Sequence, residues 1–563
     1  MGDDWPRLAA RLGVAFLDGL APEPAEPGTP PPPPEVFARA DALLLGAGTE
    51  AILVAAPRGP KRRAAAELIA AHPELVPRVA VARPAEIRRA LIATHARALL
   101  HRACRGLVET RPEFSATGMP RPAHLLGVLV AALVWFGSSF DVSTPVVALW
   151  TLFFLAIGVF RAWIADDAPE ARPAPPLAEE DLPRFAVLVP LHREVAVVPH
   201  LVEALLALDY PADRLDLRIV VEADDEETRR AVARAVAGTP VEAIVVPPAA
   251  PRTKPKALNF ALATVDAEFV TVFDAEDRPA PDQLRRAAAA FAAGPPDLAV
   301  VQAALEIDHA DTDRPWLVRQ FEIEYAMLFH GLLPWLAHHR LFLPLGGTSN
   351  HFRRSVLVEV GGWDPHNVTE DMDIALRLTR AGHVAATIPS FTLEEAPTRW
   401  DAWRAQRVRW LKGWLQTWLV HMRSPAGLHH DFGLANAVVF HLVMTGQLVS
   451  AFLFGPSLVM FALGSLGVLS FYADRGLDGD VVLIAALTAF ATGVVGALTL
   501  AVRVAGRRRR LRLFDVLTMP IYWCALSVAG FHALVELFVA PGRWNKTSHG
   551  HVARLSDDAR PPI

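Results

Sequence analysis

Cysteine is nearly missing: Cys104 and Cys524 are the only two in 563 residues, and they lie far apart. That excludes a disulfide framework and a cysteine-built zinc site. An excess of basic charge is missing too. The 55 Lys and Arg stand against 60 Asp and Glu, a formal net charge of -5, so no global basic field is available to hold nucleic acid. Charged residues make up only 20% of the chain and apolar ones 52%. Soluble domains carry roughly 25% charged residues, so this balance excludes disorder of the whole chain and points to membrane segments. The opening Met1-Gly2-Asp3-Asp4 lacks the basic start and apolar run of a secretory signal, and the expectation is an N-terminus on the cytoplasmic side.

What the chain does contain is long apolar runs in two groups. Runs at 125–140 and 146–160 are each near the length that crosses a bilayer. Arg121 and Arg161 flank them and Asp141 lies between, a charge bias that predicts a hairpin over 123–163 with both outer flanks in the cytoplasm. Four more runs follow, at 434–455, 456–472, 480–503 and 514–540, with Gly455-Pro456 expected to separate the first two. Four full crossings would return the C-terminus to the cytoplasm but leave 507–510, four arginines, outside. If 434–455 or 514–540 lies in the interface, the arginines come inside. Residues 1–110, with a proline tract at 30–34, read as an accessory module, and 165–182 as a linker.

Between the two apolar groups lie about 215 residues of α/β pattern. Runs at 185–189, 217–221 and 269–273 are apolar throughout and alternate with helical stretches, which predicts a parallel sheet covered on both faces. Such sheets bind ligands at the carboxyl ends of their strands. Asp274, Glu276 and Asp277 follow the third run directly. Three carboxylates that close repel one another and favour a hard divalent cation, although a solvated acidic turn has the same composition. Glu222, Asp224 and Asp225 follow the second run, and Asp225-Glu226-Glu227 reads as the acidic first turn of a helix. Lys254 and Lys256 stand at the start of the next helix, where a cation opposes the helix dipole and wants an anion such as a diphosphate. Thr369-Glu370-Asp371 reads structurally as an N-cap with acids in the first turn, and chemically as a carboxylate able to take a proton from a hydroxyl. Finally, residues 400–422 hold Trp400, Trp403, Trp410, Trp414 and Trp418, with Arg404, Arg407, Arg409 and Lys412 between them. Tryptophans on one side and cations on the other predict an interfacial helix.

Four of these features, in this order, resemble the processive family 2 glycosyltransferases, the group of cellulose and hyaluronan synthases. They are Pro190-Leu191-His192-Arg193-Glu194, Asp274-Ala275-Glu276 at the D-x-D position, Thr369-Glu370-Asp371, and Gln406-Arg407-Val408-Arg409-Trp410 as Q-x-x-R-W. The resemblance implies an α/β fold: a GT-A-type doubly wound sheet domain at 183–395 inserted between transmembrane helices, plus the small N-terminal α/β module. An amphipathic interfacial helix at 396–425, further membrane or interfacial helices at 434–540 and a cytoplasmic tail at 541–563 complete it. It implies Asp371 as general base, and Asp274 with Glu276, or with its neighbour Asp277, as ligands of Mg2+ or Mn2+. Pro190, Glu194, Glu222, Lys254, Asp274, Gln406 and Arg409 would bind the UDP-sugar donor. Trp410 would stack on the growing polysaccharide acceptor, with Thr348 and His351 beside it. Residues 544–550 resemble a gating segment that closes over the nucleotide. Residues 11–18 resemble the N-terminal domain of type II secretion ATPases, which implies cyclic di-GMP or an envelope export partner for the N-terminal module. The implied activity is a bacterial inner-membrane, multi-pass, metal-dependent inverting glycosyltransferase that extends and translocates a β-linked polysaccharide, with its catalytic domain cytoplasmic. Transfer of one sugar to a lipid phosphate, or a non-catalytic membrane scaffold responsive to cyclic di-GMP, are the alternatives.

Overall fold

The computed structural model describes residues 5–20, 42–45, 52–57, 60–118, 143–167, 169–308, 314–465, 479–508 and 511–542. The proline tract, the first apolar run and the gating-like segment lie outside the described residues.

Four short strands, β1 (Ala15–Phe16), β2 (Ala42–Leu45), β3 (Ile52–Ala55) and β4 (Val79–Val81), form an N-terminal sheet in the order β1-β4-β3-β2. Helices Pro84–Thr94 and Ala96–Thr110 follow it. The second sheet has eight strands: β5 (Phe185–Leu191), β6 (Leu215–Glu222), β7 (Glu242–Val246), β8 (Phe269–Val272), β9 (Arg278–Pro279), β10 (Leu298–Ile307), β11 (Asn350–Arg353) and β12 (Val384–Glu394). Their order is β7-β6-β5-β8-β11-β10-β12-β9. Side chains alternate between two cores, as a pleated strand requires: Ala186 and Leu188 of β5 join one cluster, and Phe185, Val187 and Val189 join the other. Both faces are therefore covered, which is why these runs are apolar without alternation.

The sheet is mixed and not wholly parallel as predicted. β11 runs antiparallel to β8 and β10, and β9 antiparallel to β12. The four residues of β11, Asn350-His351-Phe352-Arg353, are too polar to announce a central strand. The remaining ladders are parallel, so β5, β6, β7, β8, β10 and β12 all point the same way and present their carboxyl ends at one edge. Strand order reverses between β5 and β8, where the crevice of a doubly wound sheet opens.

Among the described residues, three helical runs are long and apolar enough to cross a membrane: Pro425–Val459, Thr488–Arg507 and Leu513–Val539. The expected break at Gly455-Pro456 does not occur, and helix Gly446–Ser465 continues through Pro456. Beside the proline, the Gly455 N–H donates to Ser527 Oγ of a neighbouring helix at 3.0 Å, so the two helices are bonded at this point. Helix Leu513–Val539 is tied near both ends to helices leaving the sheet domain. Asp515 pairs with Arg319 at 2.9 Å, and Glu536 with Lys412 at 3.0 Å.

Helix Trp400–His421 is not a surface helix with tryptophans on one side and cations on the other. Trp403, Arg407 and Lys412 are all buried. Arg407 pairs with Glu324 at 2.6 Å, Trp403 Nε1 donates to Tyr522 Oη at 3.1 Å, and the far face meets the sheet domain. A cation inside this helix is stable because each has a carboxylate on an adjacent helix. The approach to the sheet domain is closest at Gly413, where a Cβ would lie 2.4 Å from Thr369 Cγ2. Gly413→Ala is therefore expected to destabilise the protein by about 1–3 kcal/mol through overpacking, read as a lower thermal unfolding midpoint in detergent. An unchanged midpoint would show that the two helices part freely.

Candidate active site

The carboxyl-end edge gathers most of the sequence-predicted residues. β8 ends at Val272, and the turn after it carries Asp274, Glu276 and Asp277. Lys254 opens helix Lys254–Leu262, and its Nζ lies 2.5 Å from Asp274 Oδ1, 3.7 Å from Glu370 Oε1 and 2.7 Å from the Gly347 carbonyl. One ammonium thus joins the D-x-D turn, the loop before β11 and the first turn of helix Glu370–Arg380. Its ionised form is reinforced by these carboxylates: burial opposes the charge, but Asp274 and Glu370 raise the Lys254 pKa well above the ordinary lysine value.

Asp371 neighbours that cluster. Its Oδ1 accepts from the Met372 N–H at 2.8 Å, and a Cβ on Gly347 would sit 3.3 Å from its Oδ2. Burial raises its pKa, while the Met372 N–H, Lys254 and Arg409 act in the other direction. A carboxylate raised but still supported by donors and cations is suited to accept a proton. Glu370 beside it is pushed to about 7, first by burial and also by Asp371 and Asp274, against Lys254.

The acidic turn carries more negative charge than Lys254 balances. Burial, Asp274 and Glu194 push Glu276 up to about 8. Burial, Asp274, Glu276 and Glu394 hold Asp277 well above the carboxylate range. Glu394, at the end of β12, stands at about 8 for like reasons, with Tyr325 hydrogen-bonded to it. Asp277 Oδ1 is a buried oxygen with no hydrogen-bond partner. Among the described residues no group of three His, Cys, Asp or Glu already holds metal-binding geometry, and the Lys254 ammonium sits on Asp274. The donor set nonetheless fits a hard cation, because it is all oxygen, buried and under-neutralised.

Other predicted residues fall differently. Asp277 Oδ2 accepts from the Asp274 N–H at 2.7 Å and from the Thr348 hydroxyl, so Asp277 and Thr348 brace the turn. Thr348 is buried, and this corrects its reading as an acceptor contact. His351 is likewise corrected: it is fully buried on β11, its Nδ1 2.7 Å from Thr271 Oγ1 and its ring edge-on to Phe185 and Phe273. Burial lowers its pKa to about 3, which keeps it a neutral core residue. Glu222 ends β6, buried, and pairs with fully buried Lys256 at 2.7 Å. Pro190 lies near the end of β5, and Glu194 follows it, its N–H donating to Thr228 Oγ1 at 3.3 Å. Gln406 is buried in helix Trp400–His421. Trp410 on the same helix lies under the Arg407 guanidinium, 4.6 Å from its ring centre. It also lines a cavity of about 280 Å³ that extends among the apolar helices past Leu328, Trp414, Phe454 and Leu500.

Sequence reasoning missed Glu394 and the buried Asp373-Arg377-His421 group beneath Asp371. Glu394 was findable, since it ends a strand at the same edge. The raised carboxyl values carry a sign. A group whose folded pKa lies near 8 instead of its ordinary 4.5 is penalised as it ionises, so stability of the metal-free protein should fall as pH rises from 4.5 through about 8. The unfolding midpoint measured with chelator should drop over that window, and added Mn2+ should restore it on the alkaline side. A flat midpoint with chelator would contradict the charge imbalance.

Comparison with known proteins places this edge in context. The chain is similar to the probable glycosyltransferase YdaM of Bacillus subtilis, 28% identical over 241 residues, covering 42% of this chain and 56% of that protein. It is similar to the probable glucomannan 4-beta-mannosyltransferase 1 of Arabidopsis thaliana, 27% identical over 242 residues, 42% of this chain and 43% of that one. It is also similar to the beta-monoglucosyldiacylglycerol synthase of Synechocystis sp., 29% identical over 261 residues, 44% and 53% respectively. The chain spans about half the length of these curated relatives. Among solved structures, the mannosyltransferase PcManGT from Pyrobaculum calidifontis in complex with GDP-Man and Mn2+ aligns at 20% identity and TM-score 0.45, covering 71% of this chain and 99% of that one. Residues 183–413 match the family model described as Glycosyltransferase like family 2. That match begins well after the N-terminal module, whose resemblance to secretion ATPases it does not support. The region 183–413, with its eight-stranded α/β sheet, is thus similar to the family 2 glycosyltransferases.

Proposed function

We propose that this protein is a membrane-embedded inverting glycosyltransferase that moves a hexose from a UDP-sugar to the end of a β-linked polysaccharide, with Asp371 as the general base. The observation that carries the reading is the Lys254 bridge, which draws Asp274, Glu370 and the region of Asp371 into one crevice. In the forward step Asp371 takes the proton of the acceptor hydroxyl as its oxygen attacks the anomeric carbon and the bond to the diphosphate breaks. No covalent nucleophile is needed, and the work is electrostatic: positive charge must meet the leaving diphosphate. A divalent ion held by Asp274 and Glu276 would supply Lewis-acid neutralisation there, Asp277 being engaged in bracing the turn. Lys254 stands at a helix N-terminus, within reach of the same leaving group. Arg409 and Gln406 border the donor, and Trp410 offers the acceptor sugar a stacking face.

The membrane side supports a multi-pass arrangement. If helix Leu513–Val539, anchored near both ends to helices of the sheet domain, lies in the interface, two crossings precede Arg507 and Arg508. The arginines then face the cytoplasm with the sheet domain, as the charge bias asks. A second reading, transfer of one sugar to a lipid, is favoured by the cavity beside Trp410, whose mostly apolar lining suits an alkyl chain better than sugar hydroxyls. The names of the relatives, a probable glucomannan mannosyltransferase and a beta-monoglucosyldiacylglycerol synthase, accommodate either acceptor.

Purified protein in detergent with Mn2+ and a panel of nucleotide sugars is expected to release UDP, and Asp371→Asn to lower that rate by roughly 10²–10⁴-fold. Equal turnover by the variant would remove the base assignment. Release of a nucleotide from other donors only would remove UDP, and a product one sugar long on lipid would decide for the second reading.

A further inference from the structure

The segment 112–118, which follows the N-terminal module, is wedged against the helices that carry the candidate base and the Q-x-x-R-W motif. Phe114 stacks on His421 with ring centres 5.7 Å apart, and the Arg380 guanidinium lies 4.8 Å from the same phenyl ring. His421 Nε2 is 3.2 Å from Asp373 Oδ1, and Asp373 is bound on its other side by Arg377 at 2.8 Å. Asp373 is two residues from Asp371, and the Asp373, Arg377 and His421 side chains are fully shielded from solvent. A second contact lies on the loop that leads into helix Glu370–Arg380. Asp364, fully buried, accepts the Ala116 N–H at 2.6 Å and the Ser115 hydroxyl at 3.3 Å. From Asp364 the loop runs to Asn367, which holds Thr417 at 2.8 Å and the Thr369 N–H at 3.0 Å. Arg423 beyond His421 caps the segment through the carbonyls of Pro112 and Glu113. The helix before the segment, Ala96–Thr110, packs on helix Lys254–Leu262, where the Asn259 amide donates to the Ala103 and Trp363 carbonyls. One stretch of the N-terminal region thus touches the elements bearing Lys254, Asp371, Arg409 and Trp410.

We propose that residues 112–118 are a positioning latch: Phe114 and the Ala116 N–H hold helix Glu370–Arg380 in register with helix Trp400–His421, so that Asp371 meets the acceptor hydroxyl beside Arg409 and Trp410. The inference rests on the glycosyltransfer reading for its activity readout. A buried ion group such as Asp373 with Arg377 and His421 has one low-energy arrangement, and a stacked ring plus a backbone donor select it. Removing either contact leaves all the site residues in place but lets the base helix slide, and misplacement of about 1 Å costs on the order of 100-fold in rate. The donor-binding groups proposed at the D-x-D turn, Lys254, Gln406 and Arg409 lie on segments other than the latch, whose own contacts are with His421, Arg380, Asp364 and Arg423.

The test uses the full chain. Phe114→Ala and Ala116→Pro, the latter removing the backbone donor and setting a ring carbon against Asp364 in its place, are expected to lower kcat by roughly 10–100-fold. UDP affinity and the donor KM should change by less than about twofold, a ratio too small to register as a lost contact. Phe114→Tyr, which keeps the stack, should restore kcat. Hydrogen exchange gives a readout independent of turnover: amides of 364–373 should exchange faster in Phe114→Ala than in the unsubstituted chain, with β5 and β8 unchanged. Unaltered exchange at 364–373 would overturn the latch, as would kcat and UDP affinity falling together, which marks general damage. Absence of turnover in the unsubstituted chain with every donor would overturn the glycosyltransfer reading alone and leave the exchange result to judge the latch.

Discussion

The crevice is organised by a shortage of positive charge. Asp274, Glu276, Asp277, Glu370, Asp371 and Glu394 converge where the strands end, and the ammonium of Lys254 is the cation bonded at their centre. An arrangement of this kind is costly in a protein without ligands, since each buried carboxylate raises the pKa of the next. It becomes favourable when further positive charge arrives. The surplus of acid that makes the crevice hard to keep empty is the same surplus that would hold a cation against a diphosphate. On the proposed reading Lys254 would then have two alternative anions, the Asp274 carboxylate and a leaving diphosphate, and could pass from one to the other without leaving its helix.

The second constraint is mechanical. Helix Trp400–His421 lies between the sheet domain and the apolar helices, and it is bound on both sides: by Gly413 against Thr369 and His421 against Asp373 on one, by Trp403, Arg407 and Lys412 on the other. Buried cations in a helix of this sort need partners supplied by separate elements, which specifies how those elements assemble. That explains why a stretch with the composition of a membrane-surface helix is found in the interior.

Much of this was legible from the chain. The apolar runs of β5, β6 and β8 announced a sheet covered on both faces, and the strand-end rule led directly to Asp274, Glu276 and Asp277. The edge of the crevice was legible for the same reason, because each strand advertises its own end. What stayed hidden were relations between distant segments. Nothing about Asn350-His351-Phe352-Arg353 declares an antiparallel strand inserted among parallel ones, and so His351 was read as a site residue when it is core. Thr348 was misjudged for a related reason: its partner, Asp277, is 71 residues away. The pairing of Arg407 and Lys412 with Glu324 and Glu536 turned a presumed solvent face into a packed one, and periodicity carries no record of partners. Pro456 misled in the other direction, because helix Gly446–Ser465 runs on through it.

The two-ended attachment of helix Leu513–Val539 has a consequence for how the surroundings act on the chemistry. Contacts along it advance in step with those on helix Trp400–His421, from Trp403 with Tyr522 to Gln416 with the Pro541 carbonyl. Two rods joined at both extremities cannot slide past one another, so they tilt as one plank. The outward stripe of Leu513, Leu517, Ile521, Val528, Val535 and Val539 gives that plank an apolar outer face. On the proposed membrane reading, a shift of that plank in the lipid would reach the helix bearing Arg409 and Trp410, and bilayer composition would bear on the geometry of the crevice.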